Sequence, residues 1–327
     1  MTDFTELVDL AAEALGGTVI SANDEFFAPK EALLKPTAAE WREGAYTERG
    51  KWMDGWETRR RRTPGYDWAI IHLGVRGIVR GVDIDTSFFR GNYPESASIE
   101  GCDLPGTPSA IELERQDLNW RTLLATSALA GDSHNKFAIE PAAPVTHLRL
   151  NIFPDGGVAR LRVYGEVAAN FAAEGPVVDL AAIENGGYSV VCSDMFFGHR
   201  QNLIMPGRST HMGNGWETKR RRGPGHDWTI IRLGKPGTIS RVELDTDHFK
   251  GNAPDSCMLE YCDAEGADAE SLADPTRKWK ALVEQSKLQP HARHAFDVIG
   301  ATRATHVRLN IYPDGGVARL RLFGKPA

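Results

Sequence analysis

The string "THLRLNIFPDGGVARLRVYG" runs from Thr146 to Gly165, and "THVRLNIYPDGGVARLRLFG" runs from Thr305 to Gly324. Leu148, Leu150 and Ile152 alternate with His147, Arg149 and Asn151, and Leu161 and Val163 alternate with Arg160 and Arg162. Period-two alternation predicts strands with one face in a core. Asp155-Gly156-Gly157 supplies the positive φ of a tight turn, so the two runs are expected to pair as a hairpin. Its polar face would gather His147, Arg149, Asn151, Arg160 and Arg162, and in the second string His306, Arg308, Asn310, Arg319 and Arg321. Such a face suits either a set of structural ion pairs or an anion site, because Arg presents a planar fork matched to a carboxylate.

The recurrence extends through the chain. "VDLAAEALGG" at Val8 returns as "VDLAAIENGG" at Val178, an offset of 170 (178 − 8). "DGWETRRRR" at Asp54 returns as "NGWETKRRR" at Asn214, and "DWAIIHLG" at Asp67 as "DWTIIRLG" at Asp227, an offset of 160 (227 − 67). The first copy therefore carries about ten extra residues, placed within Thr37–Lys51. Two domains are expected, residues 1–168 and 169–327, joined through Glu166–Pro176. "RVELD" alternates like the opening strings, and Gly, Pro and Asp punctuate the runs, which indicates antiparallel sheets packed as a sandwich. "TELVDLAAEAL" has helical spacing and Gly16-Gly17 as a stop, so a short helix is expected to open each copy.

The 327 residues are 41% hydrophobic and 25% charged with net charge −6, so the arginine runs sit in an acidic molecule. Strand alternation would also split Arg59–Arg62 between two sides. Both points argue against a nucleic-acid partner. No apolar run approaches the roughly 18 residues of a membrane span. The four cysteines show no CxxC pair, which reads as reduced thiols in a cytoplasmic protein. There is no GxSxG, no phosphate loop and no dinucleotide fingerprint.

Polar residues kept between copies mark candidate chemistry: Glu57/Glu217, Asp85/Asp245, Asn92/Asn252 and Arg149/Arg308. In a strand, Glu57 would share a side with Arg59 and Arg61, and Glu217 with Arg221. The second copy adds His226 in place of Tyr66 and His248 in place of Phe88. Beside Asp227, Asp245 and Asp247 these could hold a divalent metal, manganese or zinc, although the spacing matches no known ligand motif.

The strings "SANDEFFAPKEALLKP", "YTERGKWMDGWETRRRR", "VDIDTSFFRGNYPES", "NLIMPGR" and "LDTDHFKGNAPDS" resemble the allantoicase family, over nearly the whole chain from about residue 18. The resemblance implies an all-β fold of two tandem jelly-roll sandwiches of the galactose-binding type. It also implies hydrolysis of allantoate to ureidoglycolate and urea in purine breakdown. One departure is Asn214, where the family's second motif usually has Asp. Allantoate carries one carboxylate and two ureido groups, so the implied binding set is Arg59, Arg61, Arg149, Arg221 and Arg308 with Asn92 and Asn252. The candidate acids and bases are Glu57, Glu217, His226 and His248. A homo-oligomer is expected. The alternative is a non-catalytic sandwich that binds carbohydrate or another small ligand, with Trp41, Tyr66 and Tyr93 as its loop aromatics.

Overall fold

The computed structural model describes residues 3–115, 117–169, 177–298, 300 and 302–327. It divides into two compact units, residues 1–168 and 169–327. Within the expected connector, Glu166 and Val167 end a strand, and residues 170–176 lie outside the described residues.

Repeat one contains β1 (Val8–Asp9), β2 (Thr18–Ala22), β3 (Tyr46–Thr47), β4 (Gly50–Lys51), β5 (Trp56–Glu57) and β6 (Asp67–Asp85). These are followed by β7 (Ser96–Cys102), β8 (Arg121–Ala128), β9 (His134–Ala138), β10 (Val145–Phe153), β11 (Gly157–Val158) and β12 (Arg160–Val167). The organiser is β6, 19 residues long. Its first third, Asp67–His72, pairs with β2 and β10, and its last part, Gly77–Asp85, pairs with β12 and β9. One strand thus serves both sheets of a sandwich, as a jelly roll requires. Its "LGVRG" bend needs Gly74, because a Cβ there would lie 2.6 Å from the Leu15 backbone. Ile70, Ile71, Val82, Ile84, Leu148, Leu150, Ile152, Leu161 and Val163 fill the core between the sheets.

Repeat two follows the same plan with β13 (Val178–Asp179), β14 (Tyr188–Cys192), β15 (Trp216–Glu217), β16 (Asp227–Asp245) and β17 (Ser256–Cys262). It continues with β18 (Lys280–Lys287), β19 (Arg293–Asp297), β20 (Ala304–Tyr312), β21 (Gly316–Val317) and β22 (Arg319–Pro326). Its strand order, β13-β22-β16-β20-β17-β18, matches β1-β12-β6-β10-β7-β8 element for element.

Three local expectations differ from the structure. The opening helix is instead a pair of 3-10 turns, Phe4–Glu6 and Glu13–Leu15, flanking β1, whose register partner is β12. Burying Val8 and Leu10 against that sheet edge outweighs a weak helical preference in so short a segment. Second, β10 and β12 do not pair as a hairpin; each pairs with β6. The "PDGG" connection first forms β11, which pairs with β5. Third, only Trp56 and Glu57 of the repeated tryptophan motif are strand, so alternation does not continue through Arg59–Arg62.

The polar face of β10 is covered. Arg149 pairs with Glu100 at 2.7 Å and its guanidinium lies 5.1 Å from the Trp120 ring. Asn151 Nδ2 donates to Glu100 and Ser98. His147 is fully buried 4.9 Å from His72, and burial and that neighbour push its pKa down to about 4. Arg308, Glu260, Trp279 and Asn310 repeat the arrangement in repeat two. Arg149 and Arg308 are thus held by Glu100 of β7 and Glu260 of β17, carboxylates of the adjacent strand in the same sheet.

Candidate active site

Trp56 and Glu57 point to opposite sides of a two-residue strand. Trp56 is fully buried and its Nε1 donates to Asp24 O at 2.8 Å. Glu57 is thereby turned the other way. Its backbone lies between two partners, Gly157 across β11 and Ala28 across an isolated bridge. Gly157 must be glycine, since a Cβ would meet the Phe89 ring at 2.0 Å. The repeated "PDGG" turn therefore seats Glu57.

Asn92 completes the seat. Its backbone carbonyl accepts from Gly157 N at 2.7 Å, and its Nδ2 donates to Glu57 Oε1, also at 2.7 Å. Among the described residues only one carboxylate oxygen, Oε1, has a side-chain partner. Burial raises the Glu57 pKa above the usual glutamate value, and the Asn92 hydrogen bond opposes this without cancelling it.

Glu57 opens into a cavity of about 650 Å³. Phe27, Trp41, Met53 and Phe88 form apolar walls, and Lys51, Arg90, Glu43 and Asn92 supply polar groups. That volume lies in the range of about 300–1,000 Å³ usual for small-ligand sites. Trp41, Glu43 and Lys51 come from the extra segment Thr37–Lys51, which folds in part as the β3–β4 hairpin. Lys51 Nζ sits 4.1 Å from the Trp41 ring, and Trp41 packs 5.9 Å from Phe88.

The segment is latched by Asp54, whose buried carboxylate accepts from Arg160 Nη2 at 2.5 Å, Lys35 Nζ at 2.8 Å and Glu40 N at 3.0 Å. Burial alone would raise the Asp54 pKa, but these hydrogen bonds outweigh it and hold the carboxyl below its usual value.

Of the residues singled out in the sequence, Glu57, Asn92 and the loop aromatic Trp41 meet in this cavity. Glu217 and Asn252 repeat the pair at 2.5 Å, but repeat two has no counterpart of the roofing segment. The arginines lie elsewhere: Arg59 is bound to Asp24 at 2.6 Å, Arg61 to Asp67 at 2.7 Å, and Arg221 to Asp227. Arg149 and Arg308 belong to the covered layers of β10 and β20. His226 Nε2 meets Asn310 Oδ1 at 3.1 Å and its ring stacks 4.6 Å from Tyr312. His248 Nε2 meets Ser209 O at 3.1 Å. Asp227 and Asp247 are taken by Arg221 and Arg208. The nitrogen and oxygen donors considered for manganese or zinc therefore do not converge, and among the described residues no group of three or more His, Cys, Asp or Glu is placed to hold a metal ion.

Lys51 and Arg90 went unnoticed in the sequence. Arg90 had a signal there, the cation kept two positions before the retained asparagine in "FFRGN" and "HFKGN". Lys51 had none, because its segment has no second copy.

Comparison with known proteins gives the family. The model of the allantoicase repeat matches residues 8–168 and again 178–327. The chain belongs to the allantoicase family. A probable allantoicase of Photobacterium profundum is 48% identical over 98% of this chain and 97% of its own length. One of Stutzerimonas stutzeri is 49% identical, with 98% and 97% covered. The crystal structure of allantoicase from Saccharomyces cerevisiae superposes with a TM-score of 0.83 at 36% identity, covering 97% of this chain and 92% of that one. The family's two repeats are thus the two sandwiches described above. Only repeat one carries the roofing segment.

Proposed function

We propose that this chain hydrolyses allantoate to ureidoglycolate and urea, with the chemistry in the Glu57 cavity of repeat one. The observation that carries the reading is membership of the allantoicase family over nearly the full length, in both repeats. A non-catalytic carbohydrate-binding role is not favoured, since these relatives are named as enzymes.

The scissile C–N bond is at a tetrahedral carbon, so the site must protonate a departing urea nitrogen and then deliver water. Glu57, in the protonated form that burial favours, gives its proton to that nitrogen as the bond breaks and its electron pair leaves with urea. The second ureido nitrogen supports the electron-poor carbon. Water then adds there and returns a proton to Glu57. Asn92 fixes one carboxylate oxygen so that the other does the transfer. Arg90 is paired with Asp132 at 3.0 Å, yet it is 79% exposed and free to turn toward a carboxylate. Lys51 adds a second cation. Trp41, Phe27 and Phe88 limit water around the reacting carbon.

Purified protein incubated with allantoate should release urea and ureidoglycolate in equal amounts, and should release nothing from simple amides or esters. Absence of urea release would overturn the reading. A cytoplasmic, self-associating protein is part of the same proposal. All four cysteines are free thiols, as suits a reducing compartment, and Phe196 and Phe197 are exposed in repeat two as a surface for a second copy. No helix among the described residues is long and apolar enough to cross a membrane.

A further inference from the structure

Arg160 and Arg319 occupy equivalent places at the start of β12 and β22, and both are buried. In repeat one every branch of the guanidinium is used. Nη1 donates to Asp54 O and Ala159 O, Nε donates to Thr37 O, and Nη2 donates to Ala38 O and to the Asp54 carboxylate. In repeat two the carboxylate is missing, because Asn214 stands where Asp54 stands. The Asn214 side chain is turned to Ser209 and Thr210 instead. Among the described residues Arg319 keeps only the Nη1 bonds, to Asn214 O at 2.6 Å and Ala318 O at 2.7 Å. Its Nε is buried without a partner.

That unused edge borders a cavity of about 90 Å³, too small for a sugar or a nucleotide. Three more guanidinium groups line it, those of Arg208, Arg293 and Arg321, and Arg321 Nη1 is likewise buried and unpartnered. The carboxylates present are committed or distant. Asp247 takes Arg208 at 2.6 Å, Asp179 stands 3.6 Å from Arg321, and of the two carboxylates that line the cavity Glu243 takes Arg241 at 2.5 Å and Asp245 stands 3.6 Å from Arg293, with no ion pair to Arg319. Burial, with Arg321 adding to it, pulls the Arg319 pKa down to about 10, and the attraction of Asp245 offsets this only in part. Truncating one partner of a buried ion pair is strongly destabilising because the other charge is left bare. A folded repeat two needs some compensation for this.

We propose that repeat two binds a small oxyanion, inorganic phosphate or the carboxylate of a small acid, on the open edge of Arg319 among Arg321, Arg208 and Arg293. The anion stands in for the carboxylate that Asn214 does not supply. Arg offers two parallel N–H donors to such a group. The site belongs to repeat two and the Glu57 cavity to repeat one, so the anion acts on the stability of repeat two.

The test is thermal unfolding of the full chain in phosphate, in acetate and in chloride, all at matched ionic strength. Phosphate or acetate should raise the Tm of the wild type by on the order of a few degrees above chloride at saturation. A response to acetate as well as phosphate identifies a general carboxylate site, and a response to phosphate alone a phosphate site. N214D restores the internal carboxylate, so it should unfold at a higher temperature in chloride and lose the anion response. R293Q, a change at a half-exposed residue, should fold normally and bind phosphate at least about threefold more weakly by calorimetry. The proposal is overturned if wild type responds to neither anion beyond chloride, or if either variant keeps the full wild-type response.

Discussion

Asn92 Nδ2 donates to Glu57 Oε1 at 2.7 Å, and Asn252 makes the same bond to Glu217 at 2.5 Å, yet only the first pair faces the roofed cavity of about 650 Å³. The duplicated element is a carboxylate with one oxygen clamped. The unduplicated element is the segment that encloses it. Enclosure lowers the local dielectric and raises the pKa of the carboxyl, which is what proton transfer to a weakly basic nitrogen needs. The two copies therefore share a scaffold and differ in the environment of the same residue.

Glu57→Gln keeps the shape and removes the proton. We expect kcat to fall on the order of a hundredfold or more, while Glu217→Gln stays within about twofold of wild type. The stability effect has the opposite sign. The folded pKa of Glu57 lies above its unfolded value, so its contribution to stability is present at low pH and is lost as pH rises past the ordinary glutamate range. At pH 7 the variant should accordingly melt higher than wild type and lose this advantage near pH 4. Equal loss of activity from both substitutions would place chemistry in both repeats.

Asn92→Ala frees the clamped carboxylate oxygen, Oε1, and leaves Glu57 without its clamp. We expect kcat to drop about tenfold with KM changed far less, because the misplaced group acts in the transition state and not in ground-state binding. Removing a hydrogen bond that favours the ionised form also raises the Glu57 pKa further, so the pH–rate profile should shift upward. An unshifted profile would mean that Asn92 only braces the loop.

Much of this arrangement was legible in the sequence, and the reasons for the rest are physical. Leu148, Leu150, Ile152, Leu161 and Val163 alternate because each strand buries one face, and that gave the sandwich. The "PDGG" turn was visible, but local turn chemistry cannot reveal that β11 is borrowed by β5 before β12 begins, since that pairing joins residues about a hundred positions apart. Extending strand alternation beyond Glu57 placed Arg59 and Arg61 beside it. In the structure, Asp24 and Asp67 capture those guanidinium groups as soon as the chain leaves β5. Trp41 stands out in the sequence as a loop aromatic, but Lys51 lies in a segment without a repeat partner, so comparing the two copies could not mark it.

Trp41→Ala removes one wall of the cavity and the ring beneath Lys51 Nζ. Trp41 is 41% exposed, so the fold should tolerate the change with little loss of Tm. KM for allantoate should rise about tenfold, reflecting lost apolar cover and a less well-placed cation. An unchanged KM would show that the substrate does not reach the roof.

Asp54→Asn gives repeat one the residue that repeat two already has. Asp54 and Arg160 are both buried, their side chains 5% and 2% exposed, so the substitution leaves a guanidinium without its counter-charge in a dry site. Losing one partner of such a pair costs about 3–5 kcal/mol. The folded pKa of Asp54 is lowered, so its contribution is present above the ordinary aspartate range and is lost as pH falls through the folded value. The stability gap between wild type and variant should therefore be wide at pH 7 and close on acidification below about pH 4. Asp54 also accepts from Glu40 N and Lys35 Nζ, which tie down the two ends of the stretch leading to Trp41. Activity should then fall through KM as well as kcat, even at temperatures where the variant is fully folded, because the roof is no longer latched. Hydrogen exchange would locate the change, with faster exchange at residues 38–51 and no change at the β10 amides. A variant that loses stability but keeps wild-type exchange in that segment and wild-type KM would mean that Asp54 serves only Arg160, and that the roof is held by its own aromatic packing.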